Sequence, residues 1–170
     1  MLDLVENSVT AGAKQVSVAV EEDPAAGLLL LSVSDDGDGM APEFARVAVD
    51  PYTTSRSTRQ VGLGLALLAG AAEQAGGRIE VASRPHEGTR VRAWFQFSHL
   101  DRAPLGRVED TLAAVAALHP DLDLRFRHRG PEGCYELKLR ELDRGSGPAE
   151  IKRRIADQVE EGRRQIGSTA

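Results

Sequence analysis

The sequence predicts an α/β chain with a largely antiparallel sheet, followed by a smaller helix, hairpin and helix. Three observations carry that reading. Apolar residues alternate with polar ones in paired short runs, and turn residues split each pair at 23–27, 84–88 and 129–133. Segments with apolar residues three and four apart lie between the hairpins. At 170 residues and 41% hydrophobic, the chain buries a core without needing disulfides or a structural metal.

In chain order, residues 1–12 form a helix with Leu4, Val5 and Val9 on one side and Gly12 at its end. No capping residue precedes Met1, so the first turn is expected to fray. Val16, Val18 and Val20 mark a half-buried strand, and Leu28 to Val33 a more buried partner. Asp35 to Met40 read as an acidic, glycine-bearing loop, and Pro42 opens a short helix. Residues 50–60 lose apolar periodicity and read as a polar loop. Leu63 to Ala75 then form a mostly buried helix that Gly76 and Gly77 end. Ile79 to Ser83 and Thr89 to Phe97 make the second hairpin. After Leu105-Gly106, Val108, Leu112 and Val115 stripe a helix that Pro120 closes. Leu122, Leu124 and Phe126 pair with Tyr135, Leu137 and Leu139 in a third hairpin. Arg144 to Pro148 link it to a charged helix over Ala149 to Ile166.

Composition excludes several classes. No apolar run approaches the roughly 18 residues of a membrane span, and Asp3 and Glu6 sit where a secretory leader carries base, so a cytoplasmic location is expected. The lone Cys134 makes neither an internal disulfide nor a cysteine zinc site and reads as a packing residue. Net charge is −5, with 8 Lys/Arg against 13 Asp/Glu in residues 1–97 and 13 against 13 in residues 98–170. An acidic front half without a basic stripe argues against a nucleic-acid partner.

Three segments carry candidate chemistry. Asp3 and Asn7 stand four apart and share a helix face; an amide oxygen suits Mg²⁺ and a carboxylate one turn away can deprotonate a nucleophile, while the same pair also reads as a solvated face. Asp35-Asp36-Gly37-Asp38-Gly39-Met40 ends a buried strand. A carboxylate there can accept from an exocyclic amine, and an ordinary acidic turn fits equally; a calcium loop does not, because position twelve is Val47. Gly62-Leu63-Gly64-Leu65 opens a helix after a loop bearing Thr54 and Arg56, an arrangement suited to phosphate.

The order of these boxes, with Gly88-Thr89 ahead of a long strand, resembles the ATP-binding domain shared by histidine kinases, gyrase B subunits, the ninety-kilodalton heat-shock chaperone and MutL. Leu4 to Ser8 with Ala11-Gly12-Ala13 looks especially like the MutL version. The resemblance implies a Bergerat-type two-layer α/β sandwich over residues 1–97. Residues 98–170 read as an α-β-β-α extension that either extends the sheet or presents a partner-docking surface, and they look similar to the tail of small stand-alone ATP-binding proteins. The resemblance also implies ATP and Mg²⁺ as ligands. Asn7 would hold the metal and Asp35 the adenine amino group. Gly37, Gly39 and Met40 would shape the adenine pocket, and Thr89 would assist Asp35. Gly62, Leu63, Gly64 and Leu65 would cover the phosphates with Thr54 and Arg56. Asp3 stands where hydrolytic members carry a Glu base. Asp36 replaces a frequent Asn.

The expected function is ATP binding by a domain that acts on or signals to a protein partner, with slow hydrolysis or phosphotransfer. Alternatives are a non-catalytic ATP sensor and a serine kinase of the anti-sigma-factor type. No phosphoacceptor segment precedes Met1, and His86-Glu87 falls in a turn, so autophosphorylation within the chain is not expected. His99, His119 and His128 read as surface or packing residues.

Overall fold

Period-two alternation decides which face of each strand is buried, and here it does so along the whole chain. The structure is a computed structural model and describes residues 1–47, 63–142 and 147–170. Its elements are α1 (Leu2–Thr10), β1 (Gln15–Asp23), β2 (Leu28–Asp35), α2 (Pro42–Val47), α3 (Leu63–Gln74), β3 (Arg78–Arg84), β4 (Gly88–Gln96), α4 (Val108–Leu118), β5 (Asp123–Gly130), β6 (Gly133–Lys138), α5 (Leu139–Leu142) and α6 (Pro148–Gln165). The strands form one six-stranded sheet in the order β3-β4-β2-β1-β5-β6. All pairs are antiparallel except β1 with β5, which run parallel.

Val16, Val18 and Val20 of β1, Leu29, Leu31 and Val33 of β2, Val91, Ala93 and Phe95 of β4, and Leu124 and Phe126 of β5 are buried on one side of this sheet. They join one core with Leu4 and Val5 of α1, Leu65 and Ala72 of α3, Leu112 and Val115 of α4, and Ile155 and Val159 of α6. Burying such side chains stabilises by roughly 1.5–3 kcal/mol each, so the shared core is the main source of stability. The third hairpin therefore extends the sheet laid down by the first, and its apolar face continues the same core across residue 97.

Local differences from the sequence reading have physical causes. Leu139 does not continue β6. It opens α5, where it and Leu142, three apart, are both buried, and the Arg154 guanidinium donates to the Leu142 carbonyl at 2.8 Å. The turn of the third hairpin is only Pro131-Glu132, because Gly130 and Gly133 pair across the strands. Cys134 is exposed and not a packing residue: Tyr135 and Leu137 take the inward positions of β6, so alternation turns Cys134 out. The loop expected at 50–60 and most of the linker at 144–148 lie outside the described residues.

His128 is buried on β5 and pairs with the equally buried Glu22 of β1 at 2.6 Å. Glu22 also accepts from the Ser168 hydroxyl at 2.5 Å and the Thr169 amide at 3.1 Å, and Tyr135 lies 3.5 Å from the other imidazole nitrogen. Burial pushes the Glu22 carboxyl up, but the bonds from Ser168, Thr169 and His128 outweigh it and hold the group below its ordinary range. Burial, aided by the Arg163 charge, lowers His128 despite its bond to Glu22. Both groups bind protons more weakly folded than unfolded, so stability is present above the unfolded pKa values and lost as pH falls. We expect the melting temperature to decline as pH drops below about 6.5, the ordinary imidazole value, with a steeper loss in the carboxylate range. His128→Gln should remove the first part of the decline. A melting temperature flat from neutral to mildly acid pH would contradict this.

Candidate functional site

Asp35 is the last residue of β2, where the strand leaves the sheet and its carboxylate is half-buried. Oδ1 accepts from the Gly37 amide at 3.0 Å and the Thr89 amide at 3.1 Å; Oδ2 accepts from the Ser8 hydroxyl at 2.7 Å. Three donors from three segments thus orient one carboxylate, and acceptor capacity remains for an incoming amine. Ser8 is a residue the sequence reading did not single out. It is buried on α1, next to Asn7, and its single hydroxyl proton is shared between Asp35 and the Leu4 carbonyl, 3.1 Å away. Its helical spacing to Leu4 was visible in the sequence; its partnership with Asp35 was not.

The loop after Asp35 is pinned at both sides. The Asp38 amide donates to the Ala11 carbonyl at 2.7 Å, and the Asp38 carbonyl accepts from the His86 amide at 2.6 Å. Asp36 is not turned to the cleft: its Oδ1 takes the Gln15 and Lys14 amides, both at 2.8 Å, and those bonds hold its carboxyl below the ordinary range. Gly39 has φ +62°, and a Cβ there would lie 2.0 Å from the Arg84 carbonyl oxygen, so only glycine lets this loop approach the β3–β4 turn. The Met40 amide donates to Ser83 Oγ at 2.8 Å. Ser83 in turn donates to the Gly88 carbonyl at 3.0 Å and lies 2.9 Å from Thr89 Oγ1. Ser83 is the second residue missed from sequence, for it reads there as an ordinary strand position.

A cleft of about 540 Å³ opens at this end, lined by Asp35, Thr89, Ser83, Val81, Pro42 and Ala45 and, where it reaches the far side of the sheet, by Ser34, Arg90 and Arg92. Asn7 and Asp3 do not line it; Ser8 links their helix to it. Asn7 is half-buried, and its side-chain nitrogen is buried with no hydrogen-bond partner. An unpaired buried amide costs on the order of 1–3 kcal/mol. The exposed Asp3 lies beside Gly64 in the first turn of α3, where a Cβ would sit 2.8 Å from the Asp3 Cβ. Glycine at 64 therefore lets the start of α3 reach α1. The structure thus gathers Asp3, Asn7, Asp35, Gly37, Gly39, Met40, Gly64 and Thr89 around α1 and the ends of β2 and β4. Leu65 is buried in the core. Thr54, Arg56 and Gly62 lie outside the described residues, as does the side chain of Leu63. Among the described residues no cluster of His, Cys, Asp or Glu is arranged to hold a metal.

Removing the Ser8 hydroxyl leaves Asp35 Oδ2 without its protein donor. Ser8→Ala should cost about 1–3 kcal/mol in denaturant unfolding; an unchanged midpoint would show that the bond contributes nothing.

The family model described as histidine kinase-, DNA gyrase B-, and HSP90-like ATPase matches residues 1–99. Among curated proteins, the DNA mismatch repair protein MutL of Xanthomonas oryzae is 30% identical over a match covering 75% of this chain and 26% of the relative. MutL of Xylella fastidiosa is 27% identical with the same coverage. The chain thus spans about a quarter of the length of these relatives. Among solved structures, the Aquifex aeolicus MutL ATPase domain complexed with ADP aligns with a TM-score of 0.53 and 20% identity, covering 92% of this chain and 66% of that one. This likeness establishes a shared fold, and none of the helices among the described residues is long and apolar enough to cross a membrane.

Proposed function

Because the chain belongs to the histidine kinase-, DNA gyrase B-, and HSP90-like ATPase family, we propose that it binds ATP with Mg²⁺ in this site and uses slow turnover to act on or signal to a protein partner. The observation that carries the reading is the Asp35 carboxylate, held by Ser8, Gly37 and Thr89 with acceptor capacity to spare. In this proposal Asp35 accepts the adenine amino group, and Gly37, Gly39 and Met40 bound the ring. The first amides of α3, at Leu63, Gly64 and Leu65, face the phosphates together with Thr54, Arg56 and Gly62.

The donor chemistry at α1 fits a metal nucleotide. Asn7 offers a hard amide oxygen for Mg²⁺, and its unpaired buried nitrogen would gain a phosphate oxygen or a water as acceptor. Bound Mg²⁺ supplies positive charge that offsets the triphosphate. Asp3, one helical turn from Asn7, takes the proton of the attacking nucleophile. Residues 1–97 form the nucleotide domain in this reading, and residues 98–170 contribute to the partner surface.

One observation favours a second reading, a non-catalytic ATP sensor. Asp3 is exposed and is one methylene shorter than a glutamate, and misplacing a base by about 1 Å can cost on the order of 100-fold in rate. ADP production and labelled phosphate transfer by wild type and Asp3→Asn decide between them. Turnover abolished by the substitution with ATP binding retained supports the enzyme; binding with no turnover in either protein supports the sensor. Asp35→Ala should weaken ATP by about 1.5–3 kcal/mol, or roughly 10- to 150-fold. Unchanged affinity by calorimetry would overturn the adenine assignment.

A further inference from the structure

Alternation buries one face of the sheet and turns the remaining side chains of each strand to the opposite face, where strand register sets them in rows. Arg92, Ser32, Ala19 and Arg127 are successive partners across β4, β2, β1 and β5, and so are Arg90, Ser34, Ser17 and Arg125. The next row is Trp94, Leu30, Glu21 and Arg129. The result is a track floored by small residues, with arginines along both sides and an apolar step at Trp94 and Leu30. Arg92 is shared with Glu80 and Arg125 with Asp123; Glu136 stands opposite Arg127 and Glu21 opposite Arg129 in the register, but Arg90, Arg127 and Arg129 make no ion pair with a described carboxylate. Like charges side by side on a sheet face are destabilising. A chain of net charge −5 nevertheless collects five arginines here.

We propose that this track docks an amphipathic α-helix of a partner protein, with small or apolar residues beneath and Asp or Glu along both flanks. Three interstrand spacings separate β4 from β5, so the arginine rows stand about 14 Å apart at their backbones. A helix is about 10–12 Å across with its side chains, so it fits between the rows and lies low on Ser17, Ala19, Ser32 and Ser34. Its acidic flanks then meet Arg90 and Arg92 on one side and Arg125, Arg127 and Arg129 on the other. A single nucleic-acid strand fits less well, because it is held by aromatic platforms for its bases. The floor has none, and the ring of Trp94 already carries Arg78 at 4.3 Å and Arg92 at 5.3 Å.

The chain's single tryptophan, Trp94, reports on this face directly. The probe is a synthetic alanine-based peptide of about 20 residues, long enough to be helical, with glutamates on both flanks of an alanine stripe. Added to the full chain at low salt, it should shift Trp94 emission saturably. The double variant Arg127→Glu, Arg129→Glu should bind it about tenfold more weakly or worse, and the matching lysine peptide should bind the variant but not the wild type. The proposal falls if the glutamate peptide leaves emission unchanged or binds the variant equally well. It also falls if an oligothymidine binds wild type more tightly than the peptide and loses that binding in the variant. Should the variant fail to melt cooperatively, wild type decides alone: the glutamate peptide must bind, lose affinity at high salt, and outcompete the lysine peptide.

Discussion

The site depends on a carboxylate fixed where a central strand ends. Asp35 closes β2, and its two oxygens hold α1 through Ser8, the following loop through Gly37, and β4 through Thr89. A carboxylate at that place accepts charge-assisted bonds, which are stronger than neutral ones, and here they converge from segments that share no local sequence. Without them the glycine loop, the start of β4 and the helix bearing Asn7 would have no common reference. The Ser83 hydroxyl extends the same logic by tying Met40 to Gly88 and Thr89.

Residues beyond the second hairpin are built into this frame. β5 runs parallel to β1 at the sheet's centre, and its inward residues join the core beneath α1 and α3. Polar contacts reinforce the join. His119, just past α4, lies 2.9 Å from Glu6 on α1, one residue from Asn7. Glu22 and His128 join β1 to β5, and Ser168 and Thr169 bring the residues after α6 onto the same carboxylate. Breaking one partner of such a buried group is costly, so the pair fixes the seating of α6 and its tail as well as stabilising it.

Arginines gather on one face of the sheet and not in one segment, with Glu21, Glu80 and Glu136 among them. The side under the helices holds the core and the oriented Asp35; the open side holds arginine rows on either side of small residues. Composition led to the expectation that no basic stripe exists, because the count along the chain averages over both faces of every strand. Register supplied what the count could not, by setting Arg90 and Arg92 level with Arg125 and Arg127.

The sequence by itself determined the elements and the residue types of the site. Alternating valines and leucines, glycines past helix ends and the Asp-Gly loop act within a few residues of one another, so local geometry makes them legible. Asp35, Gly39 and Gly64 could be chosen on that basis, and each occupies a position that only its side chain, or its lack of one, permits. Tertiary structure alone decided which of them meet. Ser8 finds Asp35 across 27 positions, and His128 finds Glu22 across 106. Cys134 faces out, Leu139 turns into a helix, and the arginines form rows, for the same reason. Those outcomes depend on parallel pairing of β1 with β5 and on side-chain register between distant strands, which no period within one segment encodes.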